Sequence, residues 1–216
     1  MKLDLENLLV KEETLWRSKS KETWLTCKHL NTKFFHTSTL IRRRSNAMKF
    51  LKLDLGVWVS SRAEIGGNFS THFTNIFSSS KPAIEDEMLD LFSPFITREK
   101  NIILCSIPTK EEVLEALSNL GPTKAPGPDG FTALFYKKYC IYIMKEVLHC
   151  NWNFFRTNSL LKEYNHSFIA LVPKLSGSHT THQFRPISLC NIVYKIISKI
   201  LANKLKVHLH KIISPL

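Results

Sequence analysis

The chain has 216 residues, 44% of them hydrophobic, which supplies one large core or two small ones and excludes general disorder. Its formal net charge of +12 favours polyanionic partners, with nucleic acid ahead of anionic membrane or acidic protein. There is no run of ~20 apolar residues to cross a bilayer, and the opening MKLDLENLLVKEE carries acids where a secretory signal would be apolar, so neither a membrane span nor secretion is expected.

Residues 4–30 read as a helix, because Leu5, Leu8, Leu9, Leu15 and Trp16 recur at helical spacing among charges. Residues 31–47 are more basic and end in Arg42, Arg43 and Arg44. Met48, Phe50, Val57 and Val59 then flank Asp54-Leu55-Gly56, the pattern of a short hairpin. Helical period returns over 62–78 through Ile65, Phe69, Phe73, Ile76 and Phe77, although Gly66 and Gly67 weaken it. Pro82, Pro94 and Pro108 break up the mixed stretch 79–108. The chain thus divides into a helical and hairpin region over 1–80, a connecting segment over 81–108 and a C-terminal domain over 109–216.

In that last part Thr109 and Glu112 have the spacing of a capping box. Val113, Leu114, Leu117 and Leu120 make one apolar face, and Gly121 stands where the helix should stop. The loop GPTKAPGPDG (121–130) alternates prolines that restrict φ with glycines that free it. Aromatic-rich residues 131–157 read as helical. HSFIALVP (166–173) reads as a short buried strand, and the polar turn LSGSHTTHQ leads to a second strand over 184–189. A helix over 190–211 closes the pattern, with Val193, Ile197, Ile200, Leu201 and Leu205 on its apolar side. The fold class expected is α+β.

Several groups could carry chemistry. Lys174 and Arg185 lie on the two C-terminal strands, where a hairpin would bring both cations near its tip. Lys195, Lys199 and Lys206 fall within about 40° of one another at 100° per residue, a basic stripe that either tracks a phosphate backbone or faces solvent. Arg42, Arg43 and Arg44 suit RNA binding or a nuclear-import signal. Phe34 and Phe35 beside Lys33 could stack on bases or pack in a core. Asp129, between Pro128 and Gly130, suits an Asx turn or a helix cap. His179 and His182 have a spacing seen in metal sites but no third ligand, and Cys27, Cys105, Cys140, Cys150 and Cys190 are too scattered for a zinc ribbon. Such scattered cysteines suit reduced thiols in the nucleus or cytoplasm.

Three ordered stretches resemble the reverse transcriptases of LINE-type (non-LTR) retrotransposons, especially those common in plant genomes. The first is Asn31-Thr32-Lys33-Phe34-Phe35-His36, with Arg42–Arg44 and Gly56-Val57-Trp58. The second is Lys124-Ala125-Pro126-Gly127-Pro128-Asp129-Gly130-Phe131, continuing through Leu134-Phe135-Tyr136. The third is Ile169-Ala170-Leu171-Val172-Pro173-Lys174, then Phe184-Arg185-Pro186-Ile187-Ser188-Leu189, then Tyr194 to Lys199 and Leu201-Ala202-Asn203. The resemblance covers about Leu8 to Pro215, with one departure: Lys28-His29-Leu30 stands where relatives have a Gly-Asp-Arg type turn.

The resemblance implies a linker followed by the fingers of a right-hand polymerase. It places Lys174, Arg185, Lys124 and Asp129 toward nucleotide and template, with RNA template or DNA as partner. Polymerases of this kind use two Mg²⁺ ions held by carboxylates. Here the aspartates are Asp4, Asp54, Asp86, Asp90 and Asp129, and no acidic residue follows Glu163. Asp86 and Asp90 fit a solvated helix face. The palm's acidic motifs are therefore expected to be missing, leaving no catalytic residue and no metal site in this chain. The alternatives to a truncated enzyme are a non-enzymatic RNA- or DNA-binding fragment and an inert pseudogene product.

Overall fold

The computed structural model describes residues 2–20, 32–54, 56–80 and 96–212. The acidic stretch with Asp86 and Asp90, and the departure at Lys28-His29-Leu30, lie outside the described residues. Contacts divide the chain into two compact units, Met1–Ser78 with Leu171–Pro186, and Ser79–Ala170 with Ile187–Leu216. The C-terminal hairpin is thus shared: its distal half belongs to the first unit and its base to the second, a discontinuity that no linear division of the sequence expresses.

In the first unit, α1 (Lys2–Ser20) packs on α2 (Thr32–Ser45). Trp16 meets His36 edge-on at 4.3 Å, and Phe35 is buried. The hairpin expected around Asp54-Leu55-Gly56 is present as β1 (Leu51–Lys52) and β2 (Trp58–Val59), antiparallel, with Leu51 opposite Val59 and Lys52 opposite Trp58. Gly56 has φ +79°, a left-handed value that a side chain would strain, and its N–H donates to Leu53 O at 2.8 Å. Helix α3 (Arg62–Phe77) buries Phe69 and Phe73, one turn apart, against Leu51 and Phe184. Ile76 and Phe77, expected on the same apolar face, are exposed instead.

The second unit begins with α4 (Arg98–Cys105) and α5 (Lys110–Ser118). The expected capping box forms: the Glu112 N–H donates to Thr109 Oγ1 at 3.2 Å, and the Thr109 N–H to Glu112 Oε2 at 2.7 Å. Residues 133–157 make two helices, α6 (Ala133–Lys138) and α7 (Cys140–Thr157), and α7 ends at Asn158, whose φ is +53°. After α8 (Lys162–Asn165) come β3 (Ser167–Pro173), a 3₁₀ turn (Thr181–Gln183), β4 (Phe184–Cys190) and α9 (Ile192–Ile212). Val113, Ala116 and Leu117 of α5, Met144, Val147 and Leu148 of α7, and Ile192, Ile196 and Ile200 of α9 form the core of this unit. They interdigitate because each helix presents apolar residues three or four apart.

Two expectations about burial are corrected. The strand over 166–173 forms but is not buried: Phe168 is 60% exposed and Ile169 51%. The ribbon has only two strands, and its buried contacts are made by Leu171 and Phe184 toward its tip, leaving Phe168 and Ile169 at its base exposed. On α9, Val193, Ile197 and Ile200 are buried as expected, whereas Leu201 and Leu205 are exposed.

Candidate nucleic-acid interface

Positive charge is not shared evenly between the units. The first carries 15 lysines and arginines against 7 acidic residues, so most of the chain's +12 excess lies there. Arg42, Arg43 and Arg44 form the last turn of α2 and are exposed. Cations at a helix C-terminus complement its macrodipole, which favours the helix, and a guanidinium's planar fork matches the oxygens of a phosphate. Phe34 and Phe35, candidates for stacking, do not serve it: Phe35 is buried and Phe34 meets it edge-on at 5.6 Å. Among the exposed aromatics of this unit is Trp58, which stands opposite Lys52 and whose exposure no periodicity signals.

At the tip of the C-terminal hairpin, the Lys174 N–H donates to Gln183 O at 2.8 Å, which sets these two residues opposite one another. The two-residue period of a strand then puts Lys174 and Arg185 on one face, opposite to that of Leu171 and Phe184, which join the core. Both are exposed. The Lys174 ammonium donates to His182 O at 2.7 Å, so it also closes the turn. His179 and His182 diverge: His182 meets His72 of α3 at 4.5 Å between ring centroids, and His179 meets Trp58 at 5.3 Å.

In the second unit the loop 121–130 is built as a structural clasp. Asn191, buried at the start of α9, accepts the Asp129 N–H at 3.2 Å and donates its Nδ2 to Glu163 O at 3.0 Å. A Cβ at Gly127 would collide with Asn191 Oδ1, Asn191 N and Cys190 C, the last at 2.5 Å. Glycine is therefore required there by close approach. Asp129 Oδ1 accepts the Phe131 N–H at 3.0 Å, the Asx turn anticipated from its neighbours. Lys124 is exposed, with its alkyl chain folded against Gly121. Asn191 left no trace in sequence spacing, because its partner lies 62 residues away.

The lysines of α9 do not act as one stripe. Lys195 is half-buried and its ammonium donates to Ala125 O at 3.0 Å, fastening the helix to the loop. Lys199 is half-buried. Lys206 is exposed and lines a groove of about 660 Å³ together with Glu112, Glu115 and Lys204, a surface of mixed sign. Lys195 is thus spent on the loop's backbone, while Arg42, Arg43 and Arg44 of the first unit are exposed.

Two tyrosines of the second unit have raised pKa values. Burial first, then the Asp129 charge, pushes Tyr136 up to about 12. The hydrogen bond that Tyr164 Oη shares with Cys150 Sγ at 3.3 Å, together with burial, pushes Tyr164 up to about 12. A raised phenol pKa means that the folded state holds its proton longer than the unfolded state. Stability is therefore present below pH ~10 and falls as pH rises from about 10 toward 12. In a spectrophotometric titration at 295 nm, two of the five tyrosines are expected to ionise late, and Tyr136→Phe to remove one late component. Simultaneous ionisation of all five near pH 10 in the native protein would contradict this.

No family model matches the chain. Over 145 residues, 66% of the chain, the sequence is 26% identical to the transposon TX1 uncharacterized 149 kDa protein of Xenopus laevis. The chain covers 11% of that protein's length. The chain is accordingly related to a transposon protein, over a small part of it. Among the described residues no helix is long and apolar enough to cross a membrane.

Proposed function

We propose that this chain is the linker and fingers portion of a LINE-type reverse transcriptase, and that it holds template RNA or DNA on the basic surface of its first unit. One observation carries the reading: exposed Arg42–Arg44, Lys174 and Arg185 stand in a unit with 15 cations against 7 acids. The three ordered motifs and the relation to a transposon protein support the family. Lys174 and Arg185, sharing one hairpin face, suit a triphosphate or phosphate backbone, since an arginine grips two oxygens at once. Lys124, exposed at the rim of the loop, is the remaining inherited contact.

The described residues do not offer the carboxylate cluster that the two Mg²⁺ ions of a polymerase need. Asp129 is engaged in its own turn, no acid follows Glu163, and among the described residues no group of three or more His, Cys, Asp or Glu could hold a metal ion. On this reading, residues 1–216 by themselves are expected to bind nucleic acid without polymerase chemistry. A titration of labelled RNA and DNA at several salt concentrations tests the binding; a primer-extension assay with Mg²⁺ tests the rest. Binding indifferent to salt, or template-dependent synthesis by the chain alone, would contradict the reading.

A further inference from the structure

We infer that Trp58 is a base-stacking residue for single-stranded nucleic acid, at one end of a track that starts at Arg42–Arg44. The inference rests on the proposed nucleic-acid reading and specifies where and how that surface grips its ligand. Trp58 is 53% exposed although tryptophan is the largest apolar side chain in the unit. Its strand partner is Lys52, so the indole and the lysine side chain leave the same face of one short hairpin. The His179 ring meets the indole edge-on, at 5.3 Å and 70°, and the Lys52 N–H donates to His179 O at 2.7 Å. The loop is thus fastened to the hairpin and holds the indole from one side, leaving the rest of it open.

Beside this pair lies a groove of about 210 Å³. Ser45 to Phe50 form one wall, beginning directly after Arg44, and Gly177 to His179 form part of the other. His179 belongs to both the groove and the Trp58 contact. Phe50 in that wall is itself 52% exposed, next to the exposed Lys49. Three arginines, a groove, a lysine and an open aromatic follow one another within one unit. Cations for phosphates interleaved with aromatic faces for bases is the arrangement that binds single strands, whose bases are free to stack. A duplex keeps its base faces covered and would use the cations alone. An acidic protein would likewise use the cations and have no need of an open indole.

The test uses the full chain with labelled uridine and deoxyuridine strands of about 12 nucleotides and a duplex of the same length. Trp58→Ala is expected to weaken single-strand binding roughly tenfold, the loss of one base stack. Trp58→Phe should retain most of the affinity. Duplex affinity should change less than about twofold, and the salt slope should stay as in the wild type, because no phosphate contact is removed. Equal losses on both strands identify base and phosphate as the ligand; a loss confined to one adds the sugar. Wild-type single-strand affinity in Trp58→Ala, with a wild-type melting curve, would overturn the inference and leave the wider reading standing. So would an equal loss on duplex. Absence of any binding by the wild-type chain would defeat the wider reading, and the stacking role with it.

Discussion

Gly127→Ala is expected to destabilise the second unit by about 3 kcal/mol, and to do so through a single methyl group. The colliding atoms are Asn191 N and Cys190 C of the backbone, and the Asn191 side chain, none of which is the loose end of a flexible chain. Relief requires the loop to lift from α9. Lifting breaks the Asp129 N–H to Asn191 bond and strains the Lys195 to Ala125 bond in the same movement. For a chain of this size such a loss lowers the melting temperature by roughly 6–12 °C. Gly66→Ala provides the contrast: nothing lies within 4 Å of a Cβ there, and the residue sits inside α3. Replacing a helical glycine at an open site should stabilise by about 0.5–1 kcal/mol. Equal melting temperatures for the two variants would contradict the clasp described for the loop.

Ile196→Ala is the second large effect, expected to cost about 2–5 kcal/mol in chemical denaturation. Ile196 is 0% exposed and sits among α5, α7 and α9 side chains, so truncation leaves a cavity that three helices would have to close together. Leu205, nine residues on along the same helix, is 45% exposed. Leu205→Ala should change stability by less than about 0.5 kcal/mol. The two substitutions remove apolar groups from one helix, so propensity differences do not explain a gap between them. A similar cost at both positions would mean that α9 buries a different face.

Where local chemistry decides, the sequence could be read directly. The helix after Thr109 was legible because the capping residues and the apolar period agree. The first hairpin was legible because only a residue at ease with positive φ suits its turn, and Gly56 occupies it. The helix Thr32–Ser45 was not assigned: it ends in three adjacent arginines, and it is secured by packing on α1 rather than by its own periodicity. The apolar run of β3 announced a strand but not its surroundings, since alternation and composition do not say what covers a ribbon.

The site divided in the same way. Asp129 read correctly as a turn former, because its partner is two residues away. Lys195 read as part of a phosphate-facing stripe, because the carbonyl of Ala125 that it binds is 70 residues distant and sequence spacing on α9 carries no record of it. Trp58 has no spacing that marks it as a binding residue; its exposure depends on what the neighbouring loop leaves open. Long-range partners decide which cations are free for a ligand, and these are the facts that spacing along one helix cannot supply.

The central claim is that the first unit binds nucleic acid through exposed cations, and the salt dependence of affinity measures this most directly. Plotted as log K against log salt, binding of a single strand should fall with a slope of roughly −3.5 to −5, as for about five to seven neutralised phosphates. Replacing Arg42, Arg43 and Arg44 together by glutamine should flatten the slope by about 2. A wild-type slope near zero, or an unchanged slope in the triple variant, would contradict the account.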